Sequence, residues 1–141
     1  MTLPASEKPD ADMMAIAQRV ADFIATGGDT PPARLFASRD VTIVENFPPF
    51  VFEGPGAVES WSKQMRAHLE GITALHHSFG DAFDCNRSGD EVYFSLPTTW
   101  RGLNNGKPFS ESGGWAFVLT REDGAWRVLA YGWAVIESTD E

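Results

Sequence analysis

The stretch NGKPFSESGGWAFVLTREDGAWRVLAYGWAV (105–135) decides the architecture. Asn105-Gly106 and Asp123-Gly124 are the strongest short hairpin signals available, and each sits between long runs rich in aromatic and β-branched residues. The runs 107–121 and 125–137 therefore read as antiparallel strands. N-terminal to them, 73–85 and 91–103 read the same way, joined by Asn86-Arg87-Ser88-Gly89. The four form a meander. In the last strand Trp126, Val128, Ala130, Gly132, Ala134 and Ile136 alternate with Leu129, Tyr131, Trp133 and Val135, so both faces are apolar. A sheet with one wet face would alternate cleanly, so a cover on both sides is expected, the second supplied by a partner subunit in a symmetric homodimer.

The first half of the chain is helical in character. Met13, Ile16, Val20 and Ile24 recur at helical spacing after Asp10, and Gly27-Gly28 stops that helix. A short second helix is expected from Thr30, with Pro31 and Pro32 in its first turn. VTIVEN (41–46) is a strand that Pro48-Pro49 breaks, and VFE resumes a short paired strand. A third helix carries Val58, Trp61, Met65 and Leu69. Residues 1–9 read as a flexible tail, and 10–141 as a single domain.

Bulk properties exclude several functions. A net charge of −9, with only 11 basic residues, is the wrong sign for nucleic acid or an anionic membrane surface. The lone Cys85 reads as a small buried hydrophobe. Residues 1–10 lack a signal-peptide core and no segment reaches the length of a membrane span, so a cytoplasmic location is expected.

With this order of elements the chain resembles the nuclear-transport-factor-2-like superfamily, the cone-shaped α+β fold also found in SnoaL-like polyketide cyclases and ketosteroid isomerases. The resemblance runs from about residue 11 to 137. It is carried by AIAQRVADFIATGGD (15–29), ARLFASRDVTIVEN (33–46), FEGPGAVESWSKQM (52–65) and above all 105–135. It implies a curved antiparallel sheet wrapped around three helices, with a pocket on the concave side and a dimer contact on the convex side. The implied pocket face is Tyr131, Trp133, Val135, Trp115, Phe117, Tyr93, Ser95 and Thr99, with Asn46 and Trp61 completing the ligand-binding set. The implied convex set is Phe94, Leu96, Trp100, Val128, Ala130 and Ala134. The catalytic positions of ketosteroid isomerases fall on Asn46, Val20 and Gly114 or Trp115, none of which supplies the needed acid or base.

Three residues carry acid–base potential. If His77 enters the pocket, Phe79 and Asp81 share its face, and a His–Asp pair serves as an oriented base; otherwise it is a half-exposed side chain with one hydrogen bond. Glu111 precedes Ser112-Gly113-Gly114, where a bulge would aim a carboxylate among aromatic rings and raise its pKa; the rival is an exposed edge Glu. Tyr131 would orient a flat ligand stacked on Trp115 and Trp133, unless these rings simply fill the core. Asp40 and Glu45 read as structural, Asp40 as a cap or turn and Glu45 because it alternates with Val41 and Ile43 rather than with Asn46. No metal or cofactor motif is present. The expected function is binding of a small, largely apolar or aromatic molecule in an enclosed pocket. The alternatives are a cofactor-free isomerase, cyclase or lyase, and an assembly module using the convex face.

Overall fold

The computed structural model describes residues 7–26 and 30–140. Helix α1 spans Ala11–Thr26, and its Met13 N–H is capped by Asp10 Oδ1 at 3.0 Å. Strands β1 (Thr42–Val44) and β2 (Val51–Phe52) form a small hairpin around the Pro48-Pro49 break. Helix α2 covers Ala57–His68. The rest is sheet: β3 (Ile72–Phe79), β4 (Phe83–Ser88), β5 (Glu91–Asn104), β6 (Lys107–Glu122) and β7 (Ala125–Asp140). The spatial order is β2-β1-β7-β6-β5-β3, with β4 also on β5. The sheet is curved and α+β as expected, but mixed rather than antiparallel, because β1 runs parallel to β7. Among the described residues there is no helix long and apolar enough to cross a membrane.

Other expectations need correction. Among the described residues the short helix from Thr30 is absent, so two helices rather than three cover the sheet. In its place a turn leads to Phe36, which bridges to Val128 with bonds between Leu35, Ala37 and Val128 on either side. The two prolines donate nothing, and pairing to β7 satisfies the neighbouring backbone instead. The run 73–85 is broken at Gly80–Ala82 into β3 and β4. The tail is held at its end, where Glu7 pairs with Cys85, itself buried as expected; residues 1–6 and the Gly27-Gly28 stop lie outside the described residues.

Both hairpin turns take the left-handed pair that Asn-Gly and Asp-Gly favour: Asn105 and Gly106 have φ of 50° and 85°, Asp123 and Gly124 of 52° and 76°. A two-residue turn fixes register, so Asn104 pairs with Lys107 and, further up, Trp100 with Glu111, Leu96 with Trp115 and Phe94 with Phe117. The inner face of the sheet is thus Phe94, Leu96 and Trp100 beside Glu111, Trp115, Phe117 and Leu119. Against it pack α1, on β3 and β7, and α2, on β1 and β2.

Strand β7 joins this face twice. Leu119 pairs with Val128, but the next pair along is Val118 with Ala130, which leaves Leu129 as an extra residue. Such a bulge reverses the side-chain phase. Trp126 and Val128 before it and Tyr131 and Trp133 after it are all buried on the same inner side. The two-sided apolarity of the sequence is therefore a change of phase and gives no sign of a second layer. Four of the six residues assigned to the convex face, Phe94, Leu96, Trp100 and Val128, belong to the core. The outer face instead runs Val51, Val44, Gly132, Ala116, Ser95, Phe83 in one registered row.

Candidate acid–base site

At one end of the inner face the helices and sheet leave a cavity of about 240 Å³. Trp100, Trp115 and Trp133 from β5, β6 and β7 form one wall, and Ile24, Met65, Leu69 and Phe47 face them from the helices and the β1–β2 turn. Its polar groups are Glu45, Asn46, His68, Asn104 and Glu111. A second bulge, at Ile136 in β7, lies opposite the step from Ser112 to Gly113. There a Cβ on Gly113 would sit 1.9 Å from the Ala134 carbonyl oxygen, so glycine alone permits the pairing that carries Glu111 onto the inner side.

Glu45 is the most unusual group. It follows β1 directly, with Val41 and Ile43 buried on the same face, and is itself 5% exposed. Its backbone N–H donates to Phe50 O at 2.9 Å, which fixes the turn below it. Two neutral donors meet one carboxylate oxygen: Trp61 Nε1–H to Oε2 at 2.8 Å, and Tyr131 O–H to the same Oε2 at 2.5 Å. No Lys or Arg pairs with it among the described residues. Its pKa is raised from 4.5 to about 7: burial is the largest cause, the two hydrogen bonds oppose the rise, and the charge of Glu111 adds to it. Tyr131 is held well above its ordinary pKa by burial and by the neighbouring Glu45. It therefore stays a donor.

The other two titratable groups flank this one. Glu111 Oε1 accepts from Trp133 Nε1–H at 3.3 Å. His68 closes α2 and stacks on Phe47, ring centroids 4.4 Å apart, with its far edge open to solvent. Desolvation of the packed side lowers its pKa, against the opposing pull of Glu111. The set comprises a carboxyl poised near neutrality, a second carboxylate and a neutral imidazole around an indole-walled space. Such a set can accept a proton from a bound molecule and return one to it.

Of the residues proposed from sequence, Glu111, Trp115, Trp133 and the exposed Asn46 line the cavity. Tyr131 and Trp61 lie behind it, as the donors that hold Glu45. Phe117 is fully buried beneath Trp115, and Val135 packs against the core; neither lines the space. Tyr93, Ser95 and Thr99 are on the outer face, with Tyr93 Oη 3.2 Å from Ser95 Oγ and Thr99 Oγ1 2.9 Å from Ser112 Oγ. Register puts them there, since each alternates with the core set Val92, Phe94, Leu96 and Trp100. His77 is also elsewhere: its Nε2 is 3.1 Å from Gln18 Nε2 of α1, and its ring touches Phe79 and Trp100. Asp81 is exposed in the β3–β4 connection, and Gln18 takes the partner position expected of it. Glu45, His68, Asn104 and the inward-turned Trp100 line the cavity without having been among the residues expected there. The carboxylate sought at Asn46 is one residue earlier, on the strand's inner face.

No family model matches the chain, and no curated protein sequence matches it. Solved structures do. A hexachlorocyclohexane dehydrochlorinase superposes with a TM-score of 0.76 at 11% identity, covering 93% of this chain and 87% of that one. A candidate scytalone dehydratase from Novosphingobium aromaticivorans gives 0.74 at 14%, covering 92% and 85%. A candidate dehydratase of the nuclear-transport-factor-2-like family from Streptomyces avermitilis gives 0.70 at 12%, covering 89% and 94%. Likeness of this extent across nearly the whole of both chains, at so low an identity, identifies the architecture: the chain has the nuclear-transport-factor-2-like fold.

Proposed function

We propose that this protein is a cofactor-free lyase or isomerase acting on a small, largely apolar molecule held in the cavity, with Glu45 as general base. The observation that carries the reading is Glu45 itself. A carboxylate buried without a cation costs stability, and its proton affinity near neutrality is what base catalysis requires. Tyr131 and Trp61 orient it, while Glu111 and His68 are the groups available to return a proton or assist a leaving group. Two of the similar structures are named as a dehydrochlorinase and a dehydratase, which are eliminations, and this favours a lyase over simple binding. The test is deuteron incorporation. In D₂O, wild-type protein mixed with a pool of small metabolites should transform or label a compound, and Glu45→Gln should lower that rate by about 10²-fold or more. Equal labelling by both proteins removes Glu45 from the chemistry.

The outer face carries a separate proposal, contact with a second copy of the chain. Val51, Val44 and Phe83 are 47%, 43% and 49% exposed at the ends of the registered row, with Gly132, Ala116 and Ser95 making a low centre between them. Sedimentation should show a dimer that Phe83→Asp weakens about tenfold or more. A wild-type monomer at micromolar concentration contradicts it.

A further inference from the structure

The lining of the cavity is one-sided in charge. Its polar contributors are two carboxylates, two amides and an imidazole, and no lysine or arginine is among them. Arg66, next to Met65 in α2, is committed elsewhere: its guanidinium lies over the Phe23 ring, 5.5 Å from the centroid, and Nη2 donates to Ile24 O at 3.3 Å. Burial keeps His68 below its ordinary pKa, so it adds no fixed positive charge. The apolar wall is aromatic. Trp100 and Trp115 meet at 78° with centroids 6.1 Å apart, and Trp115 and Trp133 at 66° and 5.7 Å, so three indoles turn their surfaces in different directions around one space.

We infer that the cavity selects a small organic cation, an ammonium on an apolar body, over a neutral molecule of the same shape. This rests on the reading that the cavity is the ligand site and names the class of molecule it takes. Indole faces attract a desolvated ammonium through their quadrupole, and they do so best where several converge. Glu111 has a single described bond, from Trp133, which leaves most of its acceptor capacity for a ligand N–H or for a nearby positive charge. An anionic ligand would meet Glu45 and Glu111 without a counter-charge, which disfavours it. The cavity is also smaller than the roughly 300–1,000 Å³ of pockets for drug-sized ligands, so the occupant has few heavy atoms. A bound ammonium favours the ionised form of Glu45, so the same ligand that fills the site also readies the base.

The test uses a matched pair, choline and 3,3-dimethylbutan-1-ol, which differ by nitrogen against carbon at one centre. Binding to the wild-type protein is followed by tryptophan fluorescence and calorimetry at pH 7. Choline should bind about tenfold more tightly than the alcohol, within the range of desolvated cation–π contacts. Glu111→Gln should cut that preference to about threefold or less. Equal affinities, or tighter binding of the alcohol, overturn the inference while leaving the proton-transfer proposal standing. No binding of either probe at millimolar concentration overturns the inference and the cavity reading together. Because the decisive comparison is made on wild-type protein, it does not depend on the folding of a variant.

Discussion

Two glutamates, Glu45 and Glu122, sit at the ends of strands of one sheet, the first buried and the second partly exposed, and they hold their protons differently. Glu122 ends β6, where its carboxylate accepts from Arg127 Nη1–H at 2.7 Å and from the N–H and hydroxyl of Ser38 at 3.1 Å. Partial desolvation raises its pKa, but these bonds outweigh that and bring it below the ordinary value. Glu45 has two neutral donors and no cation, and its pKa is about 7. The pair shows what separates a fastener from a proton carrier in one fold. Glu122 joins the segment after Phe36 to the β6–β7 hairpin and remains charged. Glu45 is fixed in place, but not enough is supplied to keep it ionised.

The largest expected effect strikes the fastener. Arg127 is buried, and removing it as Arg127→Met leaves Glu122 and the Ser38 segment without their counter-charge, at a cost of about 3 kcal/mol in urea unfolding at pH 7. A loss below about 1 kcal/mol would mean the pair is as weak as a surface bridge, and the contrast with Glu45 would blur. Next comes the proton carrier. Folded Glu45 keeps its proton up to about pH 7, whereas an unfolded glutamate releases it near 4.5. The unfolded chain therefore binds fewer protons in that window, and stability falls as pH rises through it, by about 3 kcal/mol when complete. Glu45→Gln should abolish this fall and be the more stable protein at pH 8. Parallel pH profiles for the two proteins would show that Glu45 ionises normally. The smallest effect sharpens the role of Tyr131. Tyr131→Phe deletes a donor to the carboxylate, so the Glu45 midpoint should rise by about one unit in carbon-13 NMR titration. A midpoint that stays put or falls would mean that the hydroxyl does not support the charged form.

Much of this was legible in the residues. Asn105-Gly106 and Asp123-Gly124 announce their hairpins, and a two-residue turn at Asn105-Gly106 by itself obliges Trp115 to pair with Leu96 and Phe117 with Phe94. Counting outward from that turn places Tyr93, Ser95 and Thr99 outside, so their assignment to the pocket was avoidable. Glu45 was legible too, from its alternation with Val41 and Ile43, but a buried glutamate is rare enough that the same pattern fits a structural role equally well. The bulge at Leu129 was not legible. It depends on how β7 meets β6 and β1 together, and nothing in LAYGW distinguishes an unbroken strand from one that shifts. His68 and Asn104 were hidden for a similar reason, since an element's end and a turn's edge reach the cavity only through tertiary placement.

The extra residue at Leu129 means that β7 is read in two frames, one for Trp126 and Val128 and another for Tyr131 and Trp133. Were β7 to pair at its full length without that bulge, a single frame would run through and turn both cavity-side aromatics outward, bringing Ala130, Gly132 and Ala134 in. Such a slip changes no residue at all, yet it would strip the donor from Glu45 and an indole from the cavity at one stroke. When distant relatives are aligned, a gap slid one position along this strand exchanges the chemical wall of the site for its smooth exterior, so the placement of that gap has to be settled by three-dimensional superposition rather than by side-chain likeness.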